Sequence, residues 1–114
     1  MKYIKMQETV KLVSLFGDQF KDENGGDAEL TCKQFILQRL LDKKFGTGMD
    51  AIMSAFQIKQ ALEKADDVLE LETKDWELLV SVVKTPSPGS EYNTNVAHCL
   101  LDFMKAIIGA SDSS

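Results

Sequence analysis

The sequence predicts a mainly α, single small domain of about four helices, with a small N-terminal β element and a short strand near 68–72. Three observations lead there. From Thr31 onward the apolar residues fall into stripes at helical spacing, Phe35–Leu41, Ile52–Leu62, Trp76–Val83 and Val96–Ile107. Before Thr31 the chain is rich in Val, Ile, Tyr and Thr and alternates over short stretches, which favours extended structure. A length of 114 residues with 44% hydrophobic and 27% charged side chains suits one soluble core. The expected domain covers 1–109, with 110–114 (ASDSS) as a disordered tail.

In the opening segment, Tyr3, Lys5, Gln7 and Thr9 alternate with Ile4, Met6 and Glu8, and Val10, Leu12 and Ser14 with Lys11, Val13 and Leu15. One or two extended pieces follow, ended by Gly17. Asn24-Gly25-Gly26-Asp27 is a strong turn signal, because Asn-Gly tolerates positive φ at both central positions of a hairpin loop. Its flanks are short, so the hairpin is small.

Thr31 is a good N-cap for the helix that follows, which Gly46 ends. A second helix is expected from about Asp50 to Ala65, with Ile52, Ala55, Phe56, Lys59 and Leu62 as its main face and Met49, Met53 and Ile58 widening the apolar arc. The stretch DDVLELETKDWE (66–77) reads as a strand passing into a helix. Leu69 and Leu71 point one way and Glu70 and Glu72 the other. Thr73 caps the next helix, whose first turn sets Asp75 and Glu77 against the positive end of the dipole. Trp76, Leu79, Val80 and Val83 form its buried face, with Trp76 as a core anchor. TPSPGSEYNT (85–94) is a loop. Asn93 or Thr94 caps the last helix, and Gly109 ends it.

This reading gives the acidic run a structural origin, ahead of a basic partner or a metal. Cys32 and Cys99 are expected as small buried hydrophobes, and with one histidine they supply no tetrahedral zinc set within a monomer. A calcium loop beginning at Asp18 would place Phe20 third and Glu23 sixth, where an oxygen ligand and a glycine are needed. His98 and Cys99 are adjacent in a helix, about 100° apart, and are not expected to pair as base and nucleophile. GxGxxG, P-loop, HExxH and GxSxG motifs are absent from the sequence. The expectation is a protein that is not an enzyme, with no catalytic or metal residues and no cofactor.

Eighteen Asp and Glu against thirteen Lys and Arg give a net charge of −5, which argues against nucleic acid as a partner. Lys33, Arg39, Lys43 and Lys44 read as a solvated helix face. No apolar run approaches the roughly 20 residues of a membrane span, and the N-terminus lacks the continuous apolar region of a signal peptide. A cytoplasmic protein without membrane contact is expected.

The last helix leaves only His98, Asp102 and Lys105 as a polar line. Either it is central in the domain or another chain covers it. The second option is favoured: a homodimer in which Val96, Leu100, Phe103, Met104 and Ile107 meet their own copies.

The stretches FGDQFKDENGGDAELTCKQFILQRLL, AFQIKQALEKADDVLELETKDWELLVSVVK and NVAHCLLDFM follow an order of parts that resembles small accessory proteins of tailed bacteriophages and prophages, across about three quarters of the chain. That resemblance implies a viral protein resident in the host cytoplasm, and it transfers no residue role. The expected function is a small protein-binding module, a regulator, inhibitor or adaptor acting on a host or viral protein. The alternative is a virion structural or assembly protein, a chaperone or connector, acting through self-association.

Overall fold

A computed structural model of the chain describes residues 1–6, 9–21, 23–42, 45–46, 48–86 and 97–112. The elements run β1 (Lys2–Lys5), β2 (Val10–Lys11), β3 (Glu29–Leu30), α1 (Cys32–Leu40), α2 (Met49–Lys64), β4 (Val68–Leu71), α3 (Thr73–Lys84), a 3-10 turn (His98–Leu100) and α4 (Leu101–Ile108). Among the described residues the expected mainly helical domain is present, with four helices, an N-terminal β element and a strand at 68–71.

The N-terminal β element is divided. β2 pairs antiparallel with β3, Val10 opposite Leu30 and Lys11 opposite Glu29. Just beyond the pair, Leu12 donates to the Ala28 carbonyl at 2.9 Å, and Phe20 joins both, donating to the Leu12 carbonyl at 3.0 Å and accepting from Ala28 at 2.8 Å. The turn expected at Asn24-Gly25 forms with Gly25 at φ +82°, a conformation that a side chain disfavours. Lys21 and Lys11 close this turn onto Asp27 at 3.0 and 3.7 Å.

β1 instead crosses the domain to pair antiparallel with β4, in the register Lys2–Leu71, Tyr3–Glu70, Ile4–Leu69 and Lys5–Val68. The pleat buries Leu69 and Leu71 beside Ile4 and leaves Val68 and Glu70 exposed, the alternation read from the sequence. On its other edge β1 holds the C-terminal segment. Tyr3 and Ser111 exchange backbone hydrogen bonds of 2.9 and 3.1 Å, and Lys2 reaches Asp112 at 2.6 Å. Residues 111 and 112, expected within a disordered tail, are therefore tied to the sheet, because Tyr3 offers an unpaired N–H and C=O on that side. Residues 113 and 114 lie outside the described residues.

Thr31 caps α1 as expected, and the cap is reciprocal: its hydroxyl accepts from the Gln34 N–H at 3.1 Å, and the Gln34 side chain accepts from the Thr31 N–H at 2.9 Å. α3 departs from expectation at its start. Thr73 is the first helical residue rather than the cap. Glu72 occupies the cap position without a side-chain hydrogen bond. β4 ends at Leu71, so a single residue joins strand to helix and Thr73 is drawn into the first turn. α3 buries Leu79, Val82, Val83 and also Asp75. Trp76 is half-buried and is anchored by its indole N–H, which donates to the Ile107 carbonyl at 2.8 Å. One apolar cluster, which includes Ile4, Phe35, Ile36, Ile58, Leu69, Leu79, Phe103 and Ile107, joins all four helices to the β1–β4 sheet. Phe35 and Phe103 stack at a tilt within it, centroids 6.0 Å apart. The expected caps at Asn93 and Thr94 lie outside the described residues, whereas Gly109 ends α4 as expected, its N–H donating to the Lys105 carbonyl at 2.9 Å.

Candidate protein-interaction surface

α2 carries the feature that the core does not explain. Its ends are conventional: Asp50 lies in the first turn and Lys64 in the last, matching the dipole. Lys33 of α1 reaches across to the Ala65 carbonyl at 2.8 Å, satisfying one acceptor at the C-terminal end. Its inward face is Ser54, Ile58 and Leu62, with Ala51, Ala55 and Ala61 partly buried beside them. The alanines keep that face thin, so the helix backbone approaches its neighbours closely and Ile58 and Leu62 fill the remaining space.

The opposite face is apolar too. Met49, Ile52, Met53 and Phe56 recur at helical spacing and are 77%, 60%, 48% and 56% exposed. This corrects the expected orientation, in which Ile52, Phe56 and Met53 faced the core. The helix is turned so that the alanine-rich arc packs and the bulky arc is left outside. At 100° per residue the exposed four centre roughly opposite Ile58. Beyond Phe56 the outer face becomes polar: Lys59 pairs with Glu63 at 2.9 Å, and Gln60 and Lys64 are exposed. The apolar stripe is thus confined to the first half of the helix and bounded by charge.

The residues expected to form a two-fold interface are placed differently. Leu100, Phe103 and Ile107 are buried in the chain's own core, and Met104 is half-buried against it. A second copy has no access to the first three, so the self-contact expected on this face is corrected. The helix packs these residues inward and keeps Leu101, Asp102 and Lys105 exposed on its outer side. Val96 lies outside the described residues.

His98 and Cys99, expected to diverge, lie close together. The Cys99 Sγ is 3.7 Å from His98 Nε2, and both side chains converge on the Val13 carbonyl, at 3.2 and 2.6 Å. They sit in a 3-10 turn, and the shared carbonyl acceptor draws both side chains to one point. The Val13 N–H in turn faces Cys99 Sγ at 3.3 Å. The pair pins the last helical segment to the chain after β2. Cys32 is buried as expected. Among the described residues no group of three or more His, Cys, Asp or Glu side chains is arranged to hold a metal, and no helix is long and apolar enough to cross a membrane.

Comparison with known proteins returns no match among family models, curated proteins or solved structures. The α2 stripe was detectable in the sequence as a second apolar arc on one helix, Met-rich and opposite the alanines. Periodicity alone does not tell which of two such arcs turns inward.

Proposed function

We propose that this protein is a small non-enzymatic binding module that docks one partner protein on the outer face of α2. The observation that carries the reading is the exposed stripe of Met49, Ile52, Met53 and Phe56. A stripe of this kind on the outside of a helix leaves apolar area in water with no folding benefit, and bounded apolar surfaces mark interaction sites. Phe56 is suited to anchor in a partner's pocket, and the two flexible methionines adapt around it. The pattern resemblance to phage accessory proteins supports a regulator, inhibitor or adaptor of viral or prophage origin, working in the host cytoplasm on a host or viral protein.

A second reading has one observation in its favour. The stripe lies along a single helix, so two copies would bury it against each other across a two-fold axis. That self-association would serve a virion assembly protein, and it moves the expected homodimer from α4 to α2.

A photo-crosslinking residue at position 53 of the full chain, expressed in the native host, tests these readings. One non-virion protein crosslinked, and lost in Phe56→Asp, is the expected result. Capsid or tail proteins, or crosslinks between copies, would favour assembly. Crosslinks no more specific than those from position 23 would remove α2 as a binding surface.

A further inference from the structure

The β1–β4 sheet has one closed edge and one open edge. Met6 donates to the Asp67 carbonyl at 2.8 Å, extending the ladder by one pair. Because antiparallel pairs alternate, Asp67, Leu69 and Leu71 turn their backbone groups toward β1, and Val68 and Glu70 turn theirs away. The same parity holds on β1, where Tyr3 faces away from β4 and is paired with Ser111. Neither Val68 nor Glu70 has a backbone hydrogen bond among the described residues. Two residues therefore present two N–H donors and two C=O acceptors in strand geometry.

Such an edge is usually covered or blunted, whereas this one borders a groove of about 520 Å³. Residues of both faces of β4 line it, Val68 and Glu70 from the outer face and Leu71 from the inner. The groove thus follows the strand's edge. Gln57, Gln60 and Lys64 of α2 form the facing wall, and Asp75 closes one end. An added strand lies about 4.8 Å from its neighbour and rises about 3.3 Å per residue, so about five residues cover the length from Val68 to Glu72. The amides of Gln57 and Gln60 both donate and accept, which suits a second peptide backbone.

The groove also has a sign. Glu70 and Glu72 are exposed at its rim, and Asp75 is 1% exposed with its Oδ1 lacking a hydrogen-bond partner. Enclosed as it is, Asp75 contributes its field rather than a contact. Against these three carboxylates stand two cations of the lining, Lys64 on the facing wall and the Met1 ammonium, which sits 3.5 Å from Thr73 Oγ1. Lys5 lies across the sheet beside Val68, and the lining keeps one carboxylate in excess.

We infer that the free edge of β4 takes an extended, cationic peptide segment of a partner protein as an added strand, with a Lys or Arg of that segment against Glu70 and Glu72. Backbone hydrogen bonds to Val68 and Glu70 supply the attachment and the carboxylates supply the preference. This surface is distinct from the outer face of α2, and the inference stands whether or not that stripe binds protein.

A random dodecamer library displayed on phage and selected against the full chain provides the probe. The expected winners are enriched in Lys or Arg. They lose at least tenfold in affinity for Val68→Pro, which removes one edge donor, and for the double variant E70K/E72K. On binding, the amide protons of Val68 and Glu70 become protected from exchange. Should Val68→Pro fail to fold, E70K/E72K and the exchange data decide the matter, since neither glutamate is buried. Winners indifferent to these variants but lost in Phe56→Asp would overturn the strand-edge site while supporting the α2 stripe. A library that yields no enrichment would overturn it as well.

Discussion

The indole N–H of Trp76 donates to the backbone carbonyl of Ile107 at 2.8 Å, fixing the first turn of α3 to the last turn of α4. That carbonyl belongs to the end of a helix, where acceptors lack intrahelical partners. The same ring lies 4.6 Å from the Lys2 ammonium, so three segments far apart in sequence meet at one side chain. Trp76→Phe retains most of the packing and removes the donor, and is expected to cost about 1 kcal/mol. Trp76→Ala is expected to cost about 3 kcal/mol or more. Urea unfolding of the two variants measures both. A Trp76→Phe variant as stable as wild type would show that the hydrogen bond adds nothing to the packing.

The orientation of α2 sets two neighbouring residues apart. Ile58 is fully buried, whereas Phe56 is more than half exposed. Ile58→Ala should cost about 2–5 kcal/mol, and Phe56→Ala should stay within about 0.5 kcal/mol. The opposite order in thermal melts would mean that α2 is turned the other way, with its bulky arc inside.

Asp75 is fully enclosed, and its Oδ1 has no partner. A carboxylate held in this way loses hydration that the structure does not replace on that oxygen. Asp75→Asn preserves the shape and removes the charge, and is expected to raise stability by about 1 kcal/mol. A lowered unfolding midpoint would indicate that the N-terminal end of α3 already compensates the charge.

Two exposed carboxylates give the protein an acid-side pH dependence. The hydrogen bond from Lys2, reinforced by its charge, holds the Asp112 carboxyl below its ordinary value. Lys21 does the same for Asp27, with a smaller contribution from Lys11. A depressed carboxylate in the folded state favours folding above its unfolded value near 3.9, and that contribution disappears as pH falls through the lowered value. Wild type and Asp112→Asn should therefore differ in melting temperature at pH 6 and converge in strong acid, once pH has fallen through the lowered value. Added salt should narrow the gap. A gap that persists in strong acid would assign the effect to something other than this ion pair.

How much of this was legible in advance depends on the residue considered. Leu69 and Leu71 were readable because a strand has two sides and only one pattern of alternation fits them. Thr31 was readable because capping is local: donor and acceptor are three residues apart. The side of α2 that turns inward was not readable, because Ile58 with the alanines and Met53 with Phe56 both satisfy a helical period. The choice between them is made by α1, α3 and β4, all distant in sequence. The partner of β1 was hidden for the same reason. Nothing near Tyr3 announces Glu70 or Ser111, and the pairings follow from unpaired backbone groups meeting across the fold. The groove beside β4 is a product of that pairing and inherits its invisibility.

Tyr3 sits between two partners that are translated long after it. Glu70 must emerge before β1 has anything to pair with, and Ser111 must follow before its other edge is closed. At roughly 5–20 residues per second, the strand waits on the order of several seconds on the ribosome with Ile4 unsheltered. Both pairings of Tyr3 are far apart in sequence, so the sheet closes through non-local contacts, which form more slowly than the local contacts of the helices. A copy ending before Ser111 would display an open edge of β1 at Tyr3, on the side that Ser111 otherwise covers.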